Sequence, residues 1–357
     1  SILTAGNSSS AVTATSGARI SLTSGSIATQ GESSFGVSAS DADSIATLNE
    51  VTIATTGDRA GGLIAFDGGK IAMTSGSIIT EGYSATSVLA SSSESVIDLN
   101  NVSVSSAGDW STALSANEDA HVTMTGGRVA TAGIYSDGVT SYNNSVVTLK
   151  DASVSTTGEW SYGLFSRGNI IMSNSSILTT GNSAYGIGND SGALMQLSNI
   201  TISTQSYGAR GLSTDNGNII LKDSQVTTTG NYASGIVSSK ADLDLDYIDI
   251  STHGQYAYGV DVYATEKTSL KNSHLKTTGS ESNGILAFSA KLLLDDVDIS
   301  TSGTHAEGIS AKADSNITMT GGSIQTTGSS SSGINIYSSD LQLNQVSIST
   351  QGEDAHG

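Results

Sequence analysis

Cysteine and proline are both absent from the 357 residues. Without thiols there are no disulfides and no thiolate metal sites, a composition that suits a chain kept unfolded while it crosses a membrane. Basic residues are scarce, 14 Lys and Arg against 33 Asp and Glu, and the net charge of −19 excludes the basic footprint that nucleic acid requires. That charge favours solubility and weak repulsion between copies. No signal peptide and no apolar run of ~18 residues is present, so this piece neither targets itself nor spans a bilayer as helices. Apolar residues make up 36%, enough for a thin core and too little for a thick globule. The 41 glycines fall at fixed phases, which argues against disorder or low complexity.

Those phases define a repeat. A glycine following Thr-x recurs as Gly6, Gly31, Gly57, Gly82, Gly108, Gly133, Gly158 and Gly181, then from Gly230 to Gly352, with Ser206 in the one missing slot. The period is about 25 residues. Four residues before each marker stands an aliphatic side chain, from Ile2 and Ile27 to Ile348, and two before it a Thr, with Ser106 the exception. Five after it comes a second glycine in most coils, such as Gly36, Gly62 and Gly138, then always an aliphatic residue. Between these points lies another alternating run, such as Val122-Thr-Met124 or Leu341-Gln-Leu343.

Each coil therefore holds three brief strands of period two, and β-branched side chains dominate, which excludes helices. Strands this short bury nothing alone but bury a continuous core when coils stack. The pattern predicts an all-β fold: a right-handed three-stranded parallel β-helix of about fourteen to fifteen coils, a single domain over 1–357 and a rod of ~70 Å. The hexapeptide rhythm of left-handed β-helices is missing, and propeller blades of ~40 residues are excluded by the period. The aliphatic column is expected to fill the interior, the Thr hydroxyls to bond along their own ladder or to turn backbone, and the glycines to supply positive φ at the two ends of a five-residue turn. Opening at Ser1-Ile-Leu-Thr and closing at Gly357, both inside the repeat, predicts a fragment of something longer.

Stretches such as Gly17-Ala-Arg-Ile-Ser-Leu-Thr-Ser-Gly-Ser-Ile-Ala-Thr29 and Asn316-Ile-Thr-Met-Thr-Gly-Gly-Ser-Ile-Gln-Thr-Thr-Gly328 resemble the coils of pertactin-like autotransporter passengers, along the whole chain. The resemblance implies secretion through the outer membrane of a Gram-negative bacterium by a C-terminal β-barrel that this piece lacks, and a place at the cell surface. It implies an adhesin that binds a host extracellular-matrix protein or glycan, or self-association in aggregation and biofilm. Lyases and phage tailspikes share the β-helix, so a polysaccharide lyase or hydrolase stays open as an alternative.

Chemistry is sparse. No Gly-Asp-Ser-Gly stretch marks a nucleophilic serine, no His-Glu-x-x-His marks zinc, and the glycine pairs lack the aspartates of calcium-binding repeats, so no metal and no cofactor are expected. Three outward features break the Ser/Thr monotony. The first is an aromatic stripe between the two glycines: Trp110, Tyr135 and Trp160 on consecutive coils, followed at neighbouring phases by Tyr162, Tyr185, Tyr207, Tyr232, Tyr256 and Tyr258. Such a row suits stacking on sugar rings or anchoring a protein partner, and equally suits turn-stacking that covers backbone. The second, five residues before the marker, is the charged column Asp249, His274 and Asp298 with Lys276 beside it. It reads either as an acid–base site for polysaccharide cleavage or as an exposed charge ladder. The third is a basic row, Lys240, Lys267, Lys291 and Lys312, either an attraction for sulfated glycosaminoglycan or lysines relieving an acidic rod.

Overall fold

The computed structural model describes residues 1–265 and 267–357, and these form a parallel β-solenoid of about 14 turns without a helix. Two compact units divide them, Ser1–Leu178 and Thr179–Gly357. No helix among the described residues is long and apolar enough to cross a membrane.

In the first unit, Arg19–Thr29, Ile45–Thr55 and Lys70–Thr80 stack as parallel strands. The same path then continues as shorter pairs, Val96–Asn100 with Ser103–Ser106 and His121–Thr125 with Arg128–Thr131. A second set stacks beside them, from Val12–Ala14 through Leu63–Phe66 to Leu164–Ser166. The second unit repeats the scheme, with long strands from Leu194–Thr204 to Lys291–Thr301 and short strands from Ile187–Asp190 to Ile334–Tyr337. Two of the three strands expected per coil thus run together in most coils, turning at one left-handed residue such as Glu50, Asn174, Asn199 or Asp223. Asn and Asp tolerate that conformation.

Register follows the marker. Ile27 sits on Ile53 and Thr29 on Thr55 in the first unit, as Ile250 sits on Leu275 and Thr252 on Thr277 in the second. A slip of one residue would turn every aliphatic side chain outward, so alternation alone locks the pairing. The inward columns Ile27, Ile53, Ile78, Val104, Val129 and Val154, and Ile202, Val226, Ile250, Leu275, Ile299 and Ile324, are buried.

The Thr column bonds to turn backbone rather than along its own ladder. Thr131 Oγ1 donates to the Ser136 carbonyl at 2.7 Å, and Thr252 and Thr277 donate to the Ala257 and Ser282 carbonyls at the same distance. Each of these three hydroxyls pins the five-residue turn that follows it, whereas the buried Thr156 Oγ1 has no such partner among the described residues. Replacing Thr131 by Val removes the donor from a buried carbonyl and is expected to cost about 1–2 kcal/mol. Urea unfolding of Thr131→Val measures this, and an unchanged midpoint would deny the hydroxyl its role.

The glycines depart from expectation. The marker glycines do not have positive φ; a Cβ on Gly57 or Gly158 would run into the carbonyl oxygen of Gly31 or Gly133 on the preceding coil. They are required by close stacking of backbone on backbone. Positive φ falls instead two residues after the marker, on Ser33, Arg59, Ser84, Trp110, Tyr135 and Trp160, and later on Tyr232 and Tyr256.

Candidate functional site

The first motif of the aromatic stripe, Gly108-Asp109-Trp110-Ser111, is accounted for atom by atom except at its ring. Gly108 makes the close approach to Gly82. The Asp109 carboxylate accepts the Ile134 N–H of the next coil at 2.8 Å. Ser111 Oγ accepts the Ala85 N–H at 2.9 Å and donates to the Gly82 carbonyl at 3.0 Å. Trp110 supplies the left-handed backbone, φ 58°, and its N–H bonds to the Ile134 carbonyl. The indole itself projects, 56% exposed.

Tyr135 and Trp160 repeat the geometry with φ of 52° and 56° and exposures of 44% and 52%. Their rings stack, Trp110 on Tyr135 at 4.5 Å and Tyr135 on Trp160 at 6.4 Å between centroids. A left-handed conformation costs a residue with a Cβ ~1–2 kcal/mol. Stacking of such rings returns about 0.5–1.5 kcal/mol per pair. Three strained residues are set against only two stacked pairs, so the rings bring no net gain in stability at a position where Gly or Asn would carry less strain.

The rest of the stripe divides by phase. In the second unit Tyr207, Tyr232 and Tyr256 form another row, with Tyr207 tilted against Tyr232 at 5.3 Å and Tyr232 stacked on Tyr256 at 5.1 Å between centroids. Tyr162, Tyr185 and Tyr258 stand two positions further along their turns and are only partly exposed. Tyr162 packs on Phe165 at 5.0 Å, and the Arg210 guanidinium covers Tyr185 at 5.3 Å. The stripe is therefore one exposed stack in the first unit, a looser tyrosine row in the second with Tyr207 and Tyr232 exposed, and a set of half-buried tyrosines.

The charged column is assembled in the second unit. Asp249, His274 and Asp298 are direct register partners on stacked strands. Asp249 Oδ1 lies 3.3 Å from His274 Nδ1, and Asp298 Oδ2 lies 3.5 Å from Nε2. Asp298 also accepts a 2.6 Å hydrogen bond from Ser323 Oγ. Lys276 stands two residues from His274, between Ser251 and Ser300 in its own register. Together these side chains line an open groove of about 460 Å³, which Gln225 and Gln325 also border. Among the described residues no group of His, Asp and Glu is arranged to hold a metal ion.

No protein-family model matches this chain, and no curated protein matches it. Solved structures do. Vag8, an autotransporter passenger in a cryo-EM structure of the Vag8–C1 inhibitor complex, superposes with a TM-score of 0.72, over 98% of this chain and 100% of that one, at 15% identity. The chain has the fold of an autotransporter passenger. At this identity the likeness is one of fold. The periplasmic alginate epimerase AlgG aligns over 85% of this chain and 78% of its own, at 12% identity and a TM-score of 0.49, too slight to bear on chemistry.

Within the passenger fold the four lysines do not form one row, which corrects the phase count. Thr268 pairs with Leu292, so Lys267 and Lys291 share a column, one step beyond Asp242. Lys312 belongs to the column of Phe288 and Tyr337. Lys240 occupies a left-handed corner, φ 51°, beyond the end of the strand Ile236–Ser239. The four lysines stand 10, 13, 12 and 9 residues after Gly230, Gly254, Gly279 and Gly303, and phases this unlike do not make one column.

Two acids, Asp137 in the turn before Val139–Ser141 and Asp261 on the short strand Val260–Tyr263, escaped the sequence reading. Burial raises Asp137 to about 6, against the opposing Tyr162 N–H, which bonds its Oδ1 at 2.7 Å. Asp261, 6% exposed, lies in register between Val237 and Leu286, and burial raises it too to about 6. The Tyr263 hydroxyl donates to Asp261 Oδ2 at 3.3 Å, while no hydrogen bond reaches Oδ1 among the described residues. Burial first, and Asp261 second, raise Tyr263 to about 12. The available signal was a lone carboxylate in an outward column of aliphatic neighbours.

Proposed function

We propose that this chain is the passenger of a bacterial surface protein and an adhesin that binds a host protein through the Trp110–Tyr135–Trp160 stack. The observation that carries this reading is three large rings kept half-exposed on strained turns where they add little to stability. Exposed Trp and Tyr are the side chains that dominate protein-binding energies. Presentation at the cell surface or in the medium accords with the passenger fold, and the Vag8 complex is an instance of that fold holding a protein. The negative charge steers the stack toward neutral or basic surfaces.

The test replaces Trp110, Tyr135 and Trp160 together by Asn, which accepts positive φ, so the turns relax instead of straining. Purified chain is applied to immobilised fibronectin, laminin, collagen and C1 inhibitor. At least one is expected to bind the native chain, with affinity falling 100-fold or more in the triple variant while the β-type circular dichroism is retained. Absence of binding by the native chain, or equal binding by both, overturns the proposal. Sedimentation of the native chain checks self-association, and concentration-dependent dimers lost in the triple variant would transfer the stack to contacts between copies.

A further inference from the structure

We infer that the groove of the second unit at Asp249, His274, Lys276 and Asp298 is a separate binding site for an uncharged saccharide chain. Two parallel rows of polar side chains form it. One row runs Gln225, Asp249, His274, Asp298, Ser323 in register, and the other Ser251, Lys276, Ser300, Gln325. The inward-pointing Ile250, Leu275 and Ile299 separate the rows and leave their backbone as the floor. At about 460 Å³ the groove is within the range of small-molecule sites, ~300–1,000 Å³.

Spacing and chemistry select the ligand class. Successive coils present one side chain per row every ~4.8 Å. That step is close to the repeat of hydroxyl groups along an extended pyranose chain. The carboxylates of Asp249 and Asp298 are acceptors for hydroxyl donors, the Lys276 ammonium a donor to hydroxyl or ring oxygens, and the Ser and Gln side chains serve both roles. A peptide anchor is held by an apolar pocket, whereas the outward side chains that border this groove are Gln, Asp, Ser, His and Lys. An anionic polymer would meet two carboxylates against one lysine, in a chain already at −19.

The same geometry favours binding over reaction. Both ring nitrogens of His274 face carboxylates of its own column, so the ring is directed along the row and not toward a ligand above it. His274 sits between the two carboxylates: Asp249 keeps Oδ2 for the saccharide, while Asp298 is fixed by His274 and by Ser323 Oγ and accepts through its remaining lone pairs. The site contains none of the three rings of the proposed host-protein surface, so the two readings stand or fall separately.

The experiment titrates the native chain with the neutral hexamers of β-1,4-glucose, β-1,4-mannose and N-acetylglucosamine, and with the hexamer of galacturonate as the charged contrast, by calorimetry and saturation-transfer NMR. At least one neutral hexamer is expected to bind in the micromolar to millimolar range, more tightly than galacturonate. Lys276→Gln and Asp298→Asn, both at outward positions, are each expected to weaken it about tenfold, and the Trp110/Tyr135/Trp160 triple variant to leave it unchanged. No binding by any neutral hexamer, unchanged affinity in both groove variants, or tighter binding of galacturonate overturns the assignment. Release of new reducing ends from a hexamer would overturn the binding-only role.

Discussion

Gly158→Ala is expected to be among the most damaging single substitutions in the chain, lowering stability by more than about 4 kcal/mol, or by about 10 °C in Tm. Gly158 does not have positive φ, so alanine suits its backbone and, by restricting the unfolded chain, would on that ground add about 0.4–1 kcal/mol. Sterics reverse the sign. The added Cβ would overlap the carbonyl oxygen and carbon of Gly133 on the coil below, atoms held by their own ladder and unable to withdraw. Gly192→Ala is the control, since Gly192 has φ +76° and nothing lies within 4 Å of the place a Cβ would take. There the cost is conformational alone, ~1–2 kcal/mol. Thermal unfolding of both variants, followed by circular dichroism, separates the two mechanisms. A Gly158→Ala protein no less stable than Gly192→Ala would mean that the coils are not stacked as closely as described.

Asp261→Asn is expected to stabilise the chain at pH 7 and to lose most of that advantage at pH 4. Asp261 is raised from 3.8 to about 6, chiefly by burial, so the folded state binds its proton more tightly than the unfolded state does. Where the folded state holds the extra proton, stability falls as pH rises, here between about 4 and 6. Above that window the buried carboxylate carries its full penalty, on the order of 3 kcal/mol for a shift of this size. Part of the gain from the amide is offset because its NH2 must also find a partner. An increase in the urea midpoint at pH 7 that shrinks at pH 4 is the expected pattern. Equal midpoints for the native and Asn chains at both pH values would place Asp261 in water. Asp137 has the same direction of shift, so the native chain itself is expected to be more stable at pH 5 than at pH 7.

The inward half of this molecule was legible in the sequence, because alternation and a fixed marker state which side chains point in and which partner follows. Ile27 to Ile324 and the buried Thr residues stand where period two places them. The exposed face of Trp110, Tyr135 and Trp160 was also legible, since their turns open at the marker glycines Gly108, Gly133 and Gly158, which pack against the preceding coil. Three matters required the tertiary structure. Glycine after Thr-x reads equally as a positive-φ residue or as a point of contact, and only the carbonyl of the preceding coil decides for contact. The lysine row dissolved because the four stand 10, 13, 12 and 9 residues after Gly230, Gly254, Gly279 and Gly303, and a similar phase on one coil is not the same column on the sheet.

Asp261 is the third and sharpest case. By sequence it is an outward residue of an alternating strand, the pattern that ordinarily means a solvated side chain. What buries it are Val237 and Leu286, its register partners on the coils either side, and the tyrosine rings nearby. The sequence by itself determined the repeat, the strands and the inward columns, since these depend on local alternation and on identical neighbours one period away. Only the tertiary structure decided which outward side chains share a groove, a stack or a dry pocket. Those outcomes depend on unlike residues a full coil apart, and they arise only when stacking brings such residues within about 5 Å.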